Sequence, residues 1–252
     1  MTLRTIRAGE LAETLFPRFV EELAGKFDDP ALDRNDVARD ALAQLYGRSP
    51  DPEAPLGARV VGASFDPRNA SLEAEYYKEI DPGKWARVKP LLWFWQMFDH
   101  SPVGRNVLLG TRMRAMLAPR VFRRCGRNVR IFHDCEFSFG YNLTVGDDVT
   151  IHRNVLIDDR GEVVIGNNVS ISDYANIYSH AHAVEDINDV SLGKTVIGDN
   201  TRITYHSTVF SNVKVGHDAM LGSHGVANKD VPDFEIFGGV PARKIAQKKG
   251  HP

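Results

Sequence analysis

Two histidines separated by one alanine stand out in "IYSHAHAVED", residues 177–186. His180 and His182 close a patterned stretch, and an acidic, unpatterned segment follows. Three chemistries suit such a pair. Histidines at i and i+2 can share a metal ion. One can be a general base with the other beside it, since an imidazole with an ordinary pKa near 6.5 exchanges protons at neutral pH. Or both are solvated surface side chains.

The elements that hold the pair have a period of six. Aliphatic residues fall at Val145, Ile151 and Ile157, then at Ile165, Ile171 and Ile177 after a two-residue slip. They resume at Ile197, Ile203, Val209, Val215 and Leu221 after a longer excursion. Glycine follows the aliphatic at 146, 166, 198, 216 and 222. Small or β-branched residues stand four after it at Val149, Val155, Val169, Ala175, Thr201, Ser207 and Ala219. Such self-similarity decides the fold. One hexad forms one side of a prism and three form a coil. The aliphatic points inward onto its equivalent one coil away, while glycine and Asn/Asp turn the corners. The sequence therefore predicts a parallel β-helix. The slip at 158–164 and the excursion at 178–196 read as loops pushed out of the prism, where sites tend to lie.

This array resembles the hexapeptide-repeat, left-handed β-helix acyltransferases, in particular the maltose/galactoside O-acetyltransferase branch. The motifs carrying the resemblance are "GYNLTVGDDV" (140–149), "IDDRGEVVIGNNVSI" (157–171), "IYSHAH", "KTVIGDN" (194–200), "ANKDVPD" (227–233) and "GGVPARKI" (238–245). It covers about half the chain. It implies a mainly β fold: a left-handed parallel β-helix at 126–232, a mostly α-helical extension at 1–125, and a tail at 233–252 closing a CoA site. It implies an O-acyltransferase that moves acetyl from acetyl-CoA to a sugar or glycan hydroxyl. The family's base ends the pattern I-Y-x-x-x-H, which falls on His182, with His180 as its neighbour or an acceptor contact. The family's slip-loop acid corresponds to Asp159, counting from Ile157 and Ile165, with Asp158 beside it. There a carboxylate orients the imidazole or binds sugar hydroxyls. The alternative is corner chemistry, because Asp-Asp before Gly is also a plain turn.

Two departures bear on the acceptor and on CoA. The galactoside branch has an acceptor-binding asparagine where this chain has His152, and Asn154 follows two residues on. A changed acceptor is the inference. Where relatives have Trp-Ile-Gly and then Pro-Gly, this chain has Arg202-Ile203-Thr204 and Ser211-Asn212. The backbone N–H of Tyr205 matches the family's oxyanion donor and survives side-chain change. Arg202 and His206 lie on the rebuilt face. The resemblance implies CoA contacts at Arg202, Ser223, Lys229 and Arg243, with Lys244, Lys248 and Lys249 adding positive charge. It also implies a homotrimer with inter-subunit sites, burying aliphatics such as Val209 on the flat prism faces.

The first 125 residues have another texture. Helical spacing runs through 10–27 and through 35–48 behind an Asn35 cap. It returns at 85–98 and 110–124, with Pro90 and Pro119 as starts or kinks. A Pro/Gly-rich linker, "SPDPEAPLGARVVG", spans 49–62. Eight arginines and no acidic residue lie between Ser101 and His133, after Trp85, Trp93, Phe94, Trp95 and Phe98. That combination suits a contact with an anionic membrane surface or an anionic acceptor, or else a helical cap with solvated arginines. The formal net charge of -2 names no partner, and no nucleic acid is expected. Two cysteines make no disulfide framework and fit a reducing compartment. The start shows no apolar core of a secretory signal, and the longest apolar run, "LLWFWQMF", is too short to span a bilayer. The expectation is a cytoplasmic protein, at most peripheral at the inner membrane face. Two other classes stay open: a γ-carbonic-anhydrase-like zinc enzyme, although its histidine spacing differs, and a β-helix scaffold without a site. For the acyltransferase itself no metal is expected.

Overall fold

The computed structural model describes residues 7–48 and 51–248. Ser49 and Pro50 of the expected linker, and Lys249, lie outside the described residues. The chain divides into two units. One comprises the described residues up to Leu72 together with Lys89–Arg120; the other comprises Glu73–Val88 and Val121 onward.

The first unit is helical. It contains α1 (Glu10–Asp28), α2 (Arg34–Leu45), α3 (Leu56–Ser64) and most of α4 (Pro82–Asp99) and α5 (Val107–Val121). Its core is aromatic: Phe27 meets Phe94 edge to face at 5.7 Å, and Phe94 stacks on Phe98. Three sequence expectations shift. The cap of α2 is Asp33, whose carboxylate accepts from the Asn35 N–H at 2.8 Å, so Asn35 is already helical. The linker holds α3, because no proline interrupts Leu56–Ser64 once Pro55 has opened it. Pro90 and Pro119 lie inside α4 and α5, so neither starts its helix.

The second unit is a solenoid of about six turns built from three parallel sheets. Sheet I stacks Arg124–Cys125, Leu143–Val145, Glu162–Ile165, Lys194–Ile197 and Lys214–Val215. Sheet II stacks Arg130–Ile131, Thr150–Ile151, Ser170–Ile171, Arg202–Ile203, Met220–Leu221 and the terminal hairpin Glu235–Gly238/Arg243–Gln247. Sheet III stacks Glu136–Phe137, Leu156–Ile157, Asn176–Ile177, Thr208–Val209 and Val226–Ala227. The register pairs each inward residue with its equivalent, as in Ile131↔Ile151↔Ile171↔Ile203↔Leu221. All eleven aliphatics that defined the period are at most 1% exposed. Val209 is therefore inside the prism, not on a face awaiting a partner, because its position is the inward one of its hexad. A first coil precedes the period read from sequence, with Cys125, Ile131 and Phe137 inward. Phe122 closes against Phe137, their rings 4.9 Å apart.

The corners divide their chemistry between two residue types. Positive φ is taken by side chains, among them Asn128, Asp148, Asn168, Asn200 and Asp218 at 53–59°. Their side chains bond from coil to coil, as Asn168 Nδ2 does to Asn200 Oδ1 at 2.9 Å. The glycines after the aliphatics have another reason. A Cβ on Gly166 would lie 2.2 Å from Asp199 Oδ1. Asx supplies the conformation and glycine the clearance. Gly166→Ala should then destabilise by about 1–3 kcal/mol through overpacking, whereas Asn168→Gly should cost about 1 kcal/mol for a lost hydrogen bond. Urea midpoints of the two variants test the division.

Candidate active site

Where sheet III hands over to sheet I, the regular corner is broken twice. After Ile157 the chain runs Asp158-Asp159-Arg160-Gly161. This slip is not pushed out as its length suggested: Asp158, Asp159 and Arg160 are all buried. The reason lies in the coil before it. Asp159 Oδ1 accepts the backbone N–H of Phe139 at 2.8 Å and of Gly140 at 3.0 Å, and Oδ2 accepts that of Asn142 at 3.0 Å. The carboxylate thus satisfies donors that an over-long corner would strand. Burial raises the Asp159 pKa to about 6, against the pull of those three N–H groups. Asp158 points the other way. Its Oδ1 accepts the Arg160 N–H at 3.0 Å and its Oδ2 lies close against His180 Nδ1. That contact is off the axis of a straight hydrogen bond, and His180 Nδ1 has no other partner.

The second break is the excursion, which forms an antiparallel hairpin pairing His180–His182 with Val190–Leu192. Gly193 N–H donates to Ser179 O at 2.6 Å, so the coil closes across its root. Ser179, fully buried, donates its hydroxyl to Asp158 O at 2.6 Å and accepts from Gly161 N at 2.9 Å. The root is thereby tied to the slip. His182 is exposed on the hairpin, and its Nδ1 lies 2.6 Å from Ile187 O. A carbonyl only accepts, so Nδ1 carries a proton, and in the neutral form of the ring the Nε2 lone pair is free. His180 and His182 meet edge to face, with ring centroids 5.1 Å apart.

Behind Asp158 lie groups that no motif announced. The Arg160 guanidinium bonds Glu79 and lies over the Tyr77 ring, 3.9 Å from its centroid. Burial alone would raise the Glu79 carboxyl; Arg160, the residue's own backbone N–H and nearby His180 together bring it below the usual carboxylate range. Glu79 and Tyr77 come from Glu73–Val88, the segment of the N-terminal half that belongs to the solenoid unit. Trp85 of the same segment meets Phe139 edge to face, and the Asp81 N–H donates to the Tyr141 hydroxyl at 2.9 Å. The one sequence signal was an Arg directly after an Asp pair in the slip.

The other expected residues lie elsewhere on the prism. His152, Asn154, Tyr205 and Ser223 share the corner between sheets II and III. His152 stacks on Phe132 at 5.1 Å, and burial lowers its pKa against the opposing charge of Asp173. Asn154 takes the positive φ of its coil. Tyr174, His206 and His224 take it in the coils that follow and form one stack, at 4.8 and 4.9 Å. The Tyr205 carbonyl accepts from His224 N at 2.9 Å; its own N–H meets no acceptor among the described residues. Arg202 is exposed on sheet II, Lys229 on the corner after Ala227, and Arg243 on the terminal hairpin. Two of the extra lysines are already paired, Lys244 with Glu235 and Lys248 with Asp218. One chain thus groups Asp158, Asp159, His180 and His182 on the edge between sheets III and I, which further along also carries Lys229, while His152, Asn154, Tyr205 and Ser223 lie on the edge between sheets II and III.

The arginine-rich segment is partly neutralised. Arg114 is buried against Asp99, Arg120 bonds Asp28, Arg123 faces Glu162 and Arg127 faces Asp147. Among the described residues no helix is long and apolar enough to cross a membrane, and no three His, Cys, Asp or Glu side chains converge as metal ligands.

No protein-family model matches the chain. Among curated proteins it is similar to galactoside O-acetyltransferase of Escherichia coli, 26% identical over 170 residues that cover 66% of this chain and 80% of that protein. Among solved structures it is similar to a galactoside acetyltransferase in complex with coenzyme A, with 27% identity, a TM-score of 0.58, and coverage of 66% and 81%. A maltose O-acetyltransferase from Clostridium difficile shares the fold, at 20% identity and a TM-score of 0.59 over 67% of this chain and 90% of that one.

Asp159 makes stability depend on pH in an unusual sense. Its folded pKa, near 6, lies above its unfolded value near 3.8, so the native state holds the extra proton between them. Its contribution is full below the unfolded pKa and is lost as pH rises through the folded one. Asp159→Asn lacks this dependence. The stability gap between wild type and variant should narrow by about 1 kcal/mol from pH 5 to pH 7.5. Urea unfolding at the two pH values measures it; a gap that widens would reverse the assignment.

Proposed function

From a chain whose relatives and structural neighbours are hexapeptide-repeat acetyltransferases, galactoside and maltose O-acetyltransferases among them, we propose an acetyltransferase that moves acetyl from acetyl-CoA to a hydroxyl of a sugar or glycan, with His182 as general base. The observation that carries the histidine assignment is the Nδ1–Ile187 bond, which places the proton of the neutral ring on Nδ1 and leaves Nε2 as a proton acceptor. His182 also stands at the residue where the resembled family keeps its base.

The step is a direct transfer. Nε2 takes the acceptor's hydroxyl proton as the oxygen attacks the thioester carbonyl. The oxyanion that forms needs a preorganised donor, and the Tyr205 N–H, with no acceptor of its own in the described chain, is the assigned one. The carbon–sulfur bond then breaks and His182 returns the proton to the CoA sulfur. The products are an acetyl ester and free CoA. Asp158 and His180 border the base. Asp159, with both oxygens filled by backbone N–H groups, supports the corner rather than touching the acceptor.

Because His182 and Tyr205 sit on different edges of one prism, the reading requires two copies to complete a site, and a homotrimer provides three such junctions. The apolar tip of the hairpin, Val184 and Ile187, stands exposed at 97% and 75%, as a contact with a second copy would use. Arg202, Ser223, Lys229 and Arg243 are assigned to CoA, whose phosphates suit exposed cations, and His152 and Asn154 to the acceptor.

Thiol release from acetyl-CoA over a panel of sugars tests the reading. His182→Ala should lower acceptor-dependent release by about 10²–10⁴-fold with unchanged circular dichroism. Release untouched by the substitution would remove His182 from the reaction, and no release with any acyl donor across a broad panel would favour a scaffold. Sedimentation equilibrium should return the mass of three chains.

A further inference from the structure

His180 has no chemical task in the transfer just described, yet the chain invests heavily in holding it. Four ionisable side chains meet there out of bulk water. Asp158 is 4% exposed and Arg160 6%, while the Glu79 and His180 side chains are 17% and 16% exposed. Buried charges cost desolvation and add little net stability, so they are better explained by what they hold in place. Tyr77 covers the Arg160 guanidinium, Glu79 bonds it, and the Arg160 backbone N–H fixes the Asp158 carboxylate that abuts His180 Nδ1.

The two imidazoles both turn Nδ1 toward an oxygen. His182 Nδ1 bonds the Ile187 carbonyl, and His180 Nδ1 abuts the Asp158 carboxylate without a straight hydrogen bond. Both partners accept, so the neutral form of each ring would leave Nε2 as its acceptor. The rings meet edge to face at 5.1 Å, so neither is spent on the other. Two residues apart on one strand, with ring centroids 5.1 Å apart, the neutral rings can offer two hydrogen-bond acceptors to one small molecule.

We propose that the acceptor is a polyol bound by two hydroxyls: one is deprotonated at His182 Nε2, and a second, one or two carbons away, donates to His180 Nε2. This rests on the transferase reading and deepens it. His180 becomes the residue that selects diols over isolated alcohols, and Asp158, Arg160, Glu79 and Tyr77 are positioning residues acting through it. The second hydroxyl keeps its proton, and no bond is made or broken at His180.

Initial rates with a methyl hexopyranoside and its full set of monodeoxy analogues test the proposal, in wild type, His180→Ala and His180→Gln. In wild type, deleting one hydroxyl abolishes transfer, and deleting a second lowers kcat/KM about 10- to 100-fold, chiefly through KM. In His180→Ala the second penalty vanishes while the first remains. His180→Gln, whose amide reaches roughly where Nε2 lies, keeps part of it and guards against a folding defect in the alanine variant. Equal losses on every sugar in both variants, or a second penalty that survives in His180→Ala, overturns the proposal while leaving the transferase reading intact. A wild type that releases CoA with no sugar overturns both.

Discussion

Coils of the solenoid lie one strand spacing apart, about 4.8 Å, and that spacing fixes what each position can hold. Equivalent side chains on successive coils are forced into contact, so columns must be self-compatible. Aliphatics satisfy this inside the prism and amides satisfy it at one corner, where Asn168 bonds Asn200 and Asn200 bonds Asp218. Flat rings satisfy it at another, where Tyr174, His206 and His224 stack with their planes 1° apart. Those rings sit at positive φ, which costs non-glycine residues about 1–2 kcal/mol each. Stacking of about 0.5–1.5 kcal/mol per pair offsets much of that. Gly166 marks the same spacing from the opposite side, since it is small because the next coil is already there.

A departure from the period must find new partners for every backbone group it displaces. The slip and the excursion solve this with side chains from the same corner. Asp159 gathers the N–H groups of Phe139, Gly140 and Asn142. Ser179 joins Asp158 O to Gly161 N, and Thr195 donates to Tyr178 O at 2.7 Å. The polar groups that permit the irregularity are buried and rigid, and they stand next to the hairpin that carries the histidines. The hairpin is therefore rooted without further elements.

The sequence made the solenoid legible because its inward positions are almost all aliphatic. It hid the first coil because Cys125 and Phe137 fill inward positions without matching the aliphatic rule. The slip and the hairpin were legible as breaks in phase, but burial of the slip was not. That depends on N–H groups of the preceding coil, which a period cannot reveal. Asp158 and Asp159 are adjacent and chemically equal in sequence; only the turn between them sends one to the backbone and the other to His180. Tyr77 and Glu79 were out of reach for a related reason. They come from a segment flanked by helices, 81 residues before Arg160 in the case of Glu79.

Histidines show how the stack sorts chemistry. His152, His206 and His224 are held face to face with neighbouring rings on the prism edge. His133 and His217 face carboxylates. His100 has a carbonyl anchor, Gln96 O, but on a helix with no second imidazole beside it among the described residues. His182 alone of the described set combines a carbonyl anchor, an exposed ring and a second imidazole beside it. It can do so because the hairpin leaves the stack. Within the prism a ring must match the ring above it, whereas on the hairpin the Ile187 carbonyl holds the ring and His180 borders it edge to face. A base needs a free face and a fixed tautomer together, and in this chain the excursion is where both are met.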